Sequence, residues 1–190
     1  LVFAKAQKEG GEDGDAMEKL IQTAKKQGSQ ILYMEVGDRL ISGDLRLQCV
    51  GPTQAISRDF AADCNAMSLC LLLTCGDFQG LFTGDIAMDQ EASLVAEVQS
   101  ALGENGTLAF LKVAHHGSKY SSGEDFLDAL APKIALISCG KNNSYGHPGK
   151  ETLERLEDVM GKDDIYITMD AGQIRILFDQ ESPAQVKFAK

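Results

Sequence analysis

An α/β fold is what this chain of 190 residues predicts, on three observations. Short apolar runs punctuated by Gly-Asp turns fill its first half. Segments of helical period alternate with apolar runs in its second half. No internal repeat or low-complexity linker divides the two, so one mixed unit with a proper core is expected.

The elements follow in order. Gly10 to Gly14 forms a glycine-rich acidic loop. Asp15 is placed to cap a helix in which Met17, Leu20, Ile21 and Ala24 share a face and Gly28 ends the run. Ile31 to Val36, Arg39 to Ser42 and Leu45 to Val50 are strands, the last stopped by Gly51-Pro52. The polar stretch Thr53 to Asp63 is expected to be a loop. Ser68 to Thr74 and Phe78 to Thr83 form a hairpin about Cys75-Gly76-Asp77. Ala87 to Leu102 is helical, with Leu94, Val95, Val98 and Leu102 on one face, and Leu108 to Ala114 is a strand. A capping box from Ser121 to Glu124 opens a helix that Pro132 closes. Lys133 to Ser138 is a strand, Cys139 to His147 a polar loop, and Pro148 begins a helix through Met160. Strands Ile165 to Met169 and Gln173 to Phe178 flank an Asp170-Ala171-Gly172 turn, and the tail after Asp179 is weakly patterned.

Composition narrows the functional classes. Hydrophobic content of 44% and charged content of 24% are those of an ordinary globular protein. No run approaches the roughly 20 apolar residues of a membrane span. A net charge of −10 argues against broad electrostatic wrapping of nucleic acid. Yet Lys112, Lys119, Lys133, Lys141 and Lys150 face only Glu124, Asp125 and Asp128 in their segment, so an anionic substrate is expected there. The five cysteines include no C-x-x-C, and Cys49, Cys70 and Cys139 suit small core positions. The start at Leu1, without a charged-then-apolar leader, has the form of a cut boundary or a processed end.

Chemistry concentrates in three places. Thr83-Gly84-Asp85 sets a carboxylate at a strand tip, where it either ligates a cation or caps the next helix. His115-His116-Gly117-Ser118 ends the following strand. Neighbouring histidines on a strand point to opposite faces, so one serves as ligand and the other contacts substrate or a carboxylate, or both are half-exposed strand-end residues. The loop Gly140-Lys141-Asn142-Asn143-Ser144-Tyr145-Gly146-His147-Pro148 gathers donors suited to phosphate before a helix N-terminus, and His147 could protonate a leaving oxygen. The bland alternative for it is a polar loop with an Asx turn. Asn65 and Ser68 either orient a ligand or cap a strand; the structural role is the expected one.

Taken together, Asn65-Ala66-Met67-Ser68-Leu69, Leu81-Phe82-Thr83-Gly84-Asp85, Leu111 to Lys119, Ser121-Ser122 and Gly140 to Pro148 resemble the metallo-β-lactamase superfamily. The resemblance is greatest to the hydrolase domain of ComEC-type competence (DNA-internalisation) proteins. Gly37-Asp38-Arg39-Leu40 also looks like the family's pre-strand element. The resemblance implies a four-layered αβ/βα metallo-β-lactamase sandwich and two divalent metal ions, Zn or Mn. Asp85 would be the bridging carboxylate and one of His115 and His116, with His116 preferred, a terminal ligand. His147, Ser118 and Lys141 would line the phosphate side. It further implies a soluble domain of a multi-pass cell-membrane protein, with DNA as substrate and the membrane channel portion of the same protein as partner.

The sequence departs from that pattern in one respect: the superfamily's main ligand motif, His-x-His-x-Asp-His, is absent. Residues 1–190 are therefore expected to be the C-terminal part of such a domain, truncated upstream of Leu1 and lacking its N-terminal portion. By itself the chain should bind metal weakly or stay metal-free and hydrolyse little, because two ligands do not fill two coordination shells. The expected function is metal-dependent phosphodiester hydrolysis linked to DNA uptake in the intact protein. The rivals are another hydrolase of the superfamily, of phosphorylcholine esterase or lactonase type, and a non-catalytic domain that binds DNA or a partner. Copies could also associate as a homo-oligomer through exposed apolar faces.

Overall fold

The computed structural model describes residues 1–5, 12–59, 63–103, 106–178 and 185–189. Its first elements are β1 (Val2–Ala4), α1 (Glu12–Lys26), β2 (Leu32–Met34), β3 (Arg39–Ser42), β4 (Leu45–Gly51) and α2 (Gln54–Asp59). Then come β5 (Cys70–Cys75), β6 (Phe78–Phe82), α3 (Met88–Leu102), β7 (Phe110–Lys112), α4 (Glu124–Leu130) and β8 (Ala135–Ile137). The chain continues with α5 (Lys150–Met160), β9 (Ile165–Ile167), α6 (Thr168–Ala171), β10 (Gln173–Leu177) and β11 (Gln185–Ala189).

The α/β class is what the structure shows. Strands β3 to β9 form a 7-stranded mixed sheet in sequence order. It is antiparallel from β3 to β6, with hairpins joining β3 to β4 and β5 to β6 and α2 lying between β4 and β5, and parallel from β6 to β9, where helices cross over. The side-chain period of 2 along each strand sorts the residues onto two faces. Leu72, Leu81, Leu111 and Ala135 stand in register on one face. There they are buried with Leu94 and Val98 of α3, Phe126 and Leu127 of α4, and Leu156 of α5. On the other face Leu71, Phe82, Lys112, Leu136 and Tyr166 align. Beyond that row, the β10–β11 hairpin reaches the sheet through Phe178 stacked on Phe78, ring centroids 3.9 Å apart, and through Phe188 beside Tyr166.

Several expectations are corrected. Helix α1 already runs from Glu12, so Gly14 and Asp15 lie within it; Gly10 and Gly11 lie outside the described residues. Acidic residues suit a helix's first turn as well as a loop, so composition alone does not separate the two. Thr53 to Asp63 is not all loop: Thr53 Oγ1 accepts the Ile56 N–H at 3.2 Å, starting α2, and Ile56 is buried. Residues 60–62 lie outside the description. Strand β2 pairs in parallel with β1, apart from the main sheet. The last strand before the Asp170 turn ends at Ile167, where α6 begins, and the tail supplies β11, antiparallel to β10. Helix α5 opens at Lys150 after an extended Gly149, so Pro148 lies just before it.

Candidate active site

Parallel strands β6, β7 and β8 end at one rim, and each is followed at once by a segment with chemistry in it. Carboxyl ends of parallel strands are where open α/β sheets form their crevices. Thr83 ties the first two together, its hydroxyl donating to the Lys112 carbonyl at 2.7 Å. Gly84 follows with φ 59°, and a Cβ there would stand 2.5 Å from the Ser68 Cβ. This close approach lets the Ser68 hydroxyl accept the Asp85 N–H at 2.9 Å. Ser68 thus positions Asp85, rather than only closing a strand.

Asp85 does not cap helix α3. The extended residue before the helix is Ala87, whose N–H is accepted by the Gln90 side chain at 2.7 Å, while the Met88 N–H goes to the Tyr120 carbonyl. The carboxylate is left facing the rim.

His115 and His116 are not on a strand. Strand β7 stops at Lys112, and the pair sits in a tight turn with φ 47° and 56°. Two consecutive non-glycine residues in the left-handed region cost about 1–2 kcal/mol each. The turn is fastened by the His115 N–H to the Gly84 carbonyl at 3.0 Å and the Ser118 N–H to the His115 carbonyl at 2.9 Å. Gly117, φ 80°, lets Pro148 approach so closely that a Cβ would lie 2.7 Å from the Pro148 Cβ. The Gly149 N–H then closes onto the Gly117 carbonyl at 2.8 Å. Strained backbone of this kind concentrates at functional sites.

The turn aims the two imidazoles differently. His116 Nδ1 lies 2.6 Å from the Ser138 carbonyl, which can only accept, so Nδ1 carries the proton. Nε2 is then directed at Asp85 Oδ1, 3.7 Å away. His115 instead meets His147 edge-on, ring centroids 5.7 Å apart. Partial burial, followed by His115 and His116, pushes the His147 imidazole below its ordinary value, with Asp85 acting the other way. Three histidines and Asp85 thus gather at one rim. Lys141 is exposed at the start of its loop. Ser118 is buried, its carbonyl accepting from the Ser121 N–H, the Ser121 hydroxyl and the Thr152 hydroxyl; it shapes the loop more directly than it faces the rim.

The expected capping box at Ser121 is not formed. Helix α4 begins after an extended Gly123 without a side-chain cap. The Ser122 and Gly123 N–H groups go instead to the Glu91 carboxylate, at 2.5 and 2.9 Å. Burial pushes the Glu91 carboxyl upward despite those two donors and Arg155. Arg155 holds the loop from its other side through the carbonyls of Lys119, Ser121 and Ser122.

Sequence reasoning takes Lys112 only as one of five lysines in a locally positive segment, although a lysine inside the apolar run Ala109 to Ala114 is a legible signal of its own. Its ammonium donates to the Val113 carbonyl at 2.8 Å, and burial pushes it below the ordinary lysine value, with Asp85 the first group opposing. Glu91 and Arg155 carry no local signal for this role, since the loop groups they hold are 31 to 36 residues away.

The donor set fits a divalent cation in part. A neutral imidazole whose far nitrogen is held by a carbonyl, directed at a carboxylate oxygen, is the arrangement that metal-binding histidines adopt. Among the described residues, however, no three His, Cys, Asp or Glu side chains are grouped so as to hold one ion. Two ligands do not complete a shell of four.

No family model matches the chain. It is 37% identical over 140 residues to ComE operon protein 3 of Bacillus subtilis (strain 168), across 74% of this chain and 17% of that protein. Recombination protein 2 of Haemophilus influenzae is 31% identical over 149 residues, across 76% of this chain and 17% of its own length. Competence protein ComA of Neisseria gonorrhoeae is 36% identical over 94 residues, which are 50% of this chain and 13% of that protein. The chain is related to competence proteins. It spans under a fifth of the length of these relatives. Among the described residues no helix is long and apolar enough to cross a membrane.

Proposed function

We propose that this chain supplies part of a metal-dependent phosphodiesterase acting on DNA during uptake, built as one portion of a metallo-β-lactamase-like sandwich in a membrane-associated protein. One observation carries the reading. Two acceptor atoms, His116 Nε2 and Asp85 Oδ1, are aimed at each other across 3.7 Å at the rim where β6, β7 and β8 end. Similarity to competence proteins over some three quarters of the chain supports DNA as the substrate.

Asp85 and His116 would hold the cation, with further ligands drawn from water or from residues this sequence does not contain. A bound divalent ion there supplies Lewis acidity toward a phosphoryl oxygen and lowers the pKa of water. The chain's own groups do the rest. Ser68 and Ser138 fix the two donors from opposite sides. His147, neutral near pH 7 by the direction of its shift, is suited to take or relay a proton at the rim, and His115 orients its ring. Lys141 offers a charge to phosphate, while Ser118 and Glu91 hold the turn in shape.

Calorimetric titration of the chain with Mn²⁺ or Zn²⁺ tests the reading. Weak, saturable binding is expected, and Asp85→Asn or His116→Gln should abolish it. Joined to a segment bearing a His-x-His-x-Asp-His motif, the chain should cleave DNA only with a divalent ion, and Asp85→Asn should remove that activity. Binding or cleavage that survives Asp85→Asn overturns the reading. The lack of a three-ligand group among the described residues favours a second reading, a non-catalytic domain that contacts DNA. In that case DNA binding would be indifferent to chelator.

A further inference from the structure

The two most exposed large apolar side chains among the described residues are Tyr145, at 81%, and Tyr120, at 67%. Both stand on the segments that carry the histidines. Neither position follows from folding, since an aromatic ring in water contributes nothing to the core.

Tyr145 is also held firmly. Asn143 closes its loop from within, donating to the Gly140 and His147 carbonyls at 2.8 and 2.7 Å and accepting the His147 N–H at 2.8 Å. The Tyr145 ring lies nearly parallel to His147, with 14° between planes and centroids 5.8 Å apart. His147 in turn abuts His115. A stepped series of rings therefore leads from the rim to a broad outer face of Tyr145. On the neighbouring turn the Lys119 ammonium lies over the Tyr120 ring, 5.0 Å from its centroid. Among the described residues neither Lys119 nor Lys141 is paired with a carboxylate.

We propose that Tyr145 is a stacking platform for a nucleobase of single-stranded nucleic acid, whose phosphates are drawn by Lys119 and Lys141. The inference rests on the phosphodiester reading and adds to it a strand state and a contact residue. A base in a duplex keeps its faces against its neighbours, whereas an unpaired base offers a face to an aromatic ring. Stacking tolerates any base, because every base has a π-face. Interspersed aromatic rings and ammonium groups are the pattern by which proteins follow single strands. The near-parallel Tyr145 and His147 rings leave no gap for a base between them, so the base occupies the outer face.

The test is fluorescence anisotropy of the 190-residue chain with a labelled oligothymidylate and with an abasic oligonucleotide of equal length and charge. Both titrations use low salt, with Mn²⁺ present. Wild type should bind the base-bearing strand more tightly. Tyr145→Leu should weaken that binding about 5- to 100-fold while leaving the abasic affinity unchanged, which doubles as the folding control. Tyr145→Phe should stay close to wild type. Because the chain contains no Trp and 4 Tyr, its intrinsic emission reports the same contact. Thymidine monophosphate should quench wild type and Tyr145→Phe differently, since the latter has lost the reporting phenol. Equal affinity for the two oligonucleotides, or no change in Tyr145→Leu, overturns the stacking proposal and leaves the phosphodiester reading standing. Failure of both strands to bind overturns the two together.

Discussion

Replacing His115 by glycine should make the protein more stable, although it removes a side chain from the candidate site. At φ 47° His115 carries the cost of the left-handed region, about 1–2 kcal/mol for a residue with a Cβ. Glycine removes that cost but loses about 0.4–1 kcal/mol through its freer unfolded chain. The edge-on contact with His147 contributes about 0.5 kcal/mol, the low end for such pairs. At mid-range values the net gain is about 0.3 kcal/mol. His115→Ala keeps the strain and loses the ring, so glycine should exceed alanine by about 1 kcal/mol. Ala96, exposed in the middle of α3, supplies the opposite sign: Ala96→Gly should cost about 1 kcal/mol. At His116 the same relief is cancelled by the lost bond to the Ser138 carbonyl, about 0.5–1.5 kcal/mol. Urea unfolding of the four variants at 25 °C measures these differences, and a change of 1 kcal/mol should move Tm by about 2–4 °C. If His115→Gly proves no more stable than His115→Ala, the turn is not strained and the reasoning fails. Cation binding should persist in His115→Gly and vanish in His116→Gly, since only His116 faces Asp85.

Glu91 governs a pH dependence. Its carboxyl is pushed upward in the folded state, so the native protein binds the proton more tightly than the unfolded chain does. Stability therefore falls as pH rises from the ordinary carboxylate range through the raised value, and Glu91→Gln should flatten that slope in pH-resolved denaturation. The same substitution leaves one of the Ser122 and Gly123 N–H groups without an acceptor and should cost about 1–3 kcal/mol at neutral pH, and more in acid, where Glu91 stabilises the wild type most. Gly84→Ala meets both a left-handed backbone and the Ser68 side chain; a loss of about 2–4 kcal/mol in thermal unfolding is expected, with cation binding lost as Asp85 is displaced. Lys112→Met removes a half-buried ammonium that opposes a second positive charge near Asp85, so calorimetry should show tighter Mn²⁺ binding; weaker binding would mean that Lys112 helps to form the site.

What the sequence discloses is set by how local each signal is. The hairpin about Cys75-Gly76-Asp77 and helix α3 follow from period and turn chemistry, and both are observed within a residue or two. The convergence of Asp85 with the histidines follows from consecutive strands ending at one rim. Strand β2 falls inside the expected Ile31 to Val36, but β1 is too short to show a period and is fixed by pairing with β2 across 30 residues. β11 alternates Val186 and Phe188 with Gln185 and Lys187, but over too few residues to stand alone, and pairing with β10 fixes it. At Ser121 the motif is present, but Glu91, 32 residues from Gly123, provides a stronger acceptor for the N–H groups the cap would address. The left-handed turn at His115 and His116 carries only a weak signal, because histidine enters the left-handed region more often than most residues but still seldom.

The same turn decides how the Asp85–His116 pair should be understood. A histidine and an aspartate that served only the fold would close to hydrogen-bond distance, about 2.7–3.2 Å. These two stand 3.7 Å apart, and each is held from behind: Asp85 by its N–H to the Ser68 hydroxyl, His116 by Nδ1–H to the Ser138 carbonyl. Their facing atoms are both acceptors once Nδ1 carries the proton, so the imidazole lone pair and the carboxylate oxygen repel unless something positive lies between. A second proton on the ring would answer that need, and so would a cation with ligand bonds of about 2.0–2.2 Å to both atoms. Strained backbone on one side and a glycine against Ser68 on the other keep the gap open, at a cost in stability that a closed ion pair would not require. On the proposed reading, the preset gap, more than the identity of the residues, is what suits the pair to a cation.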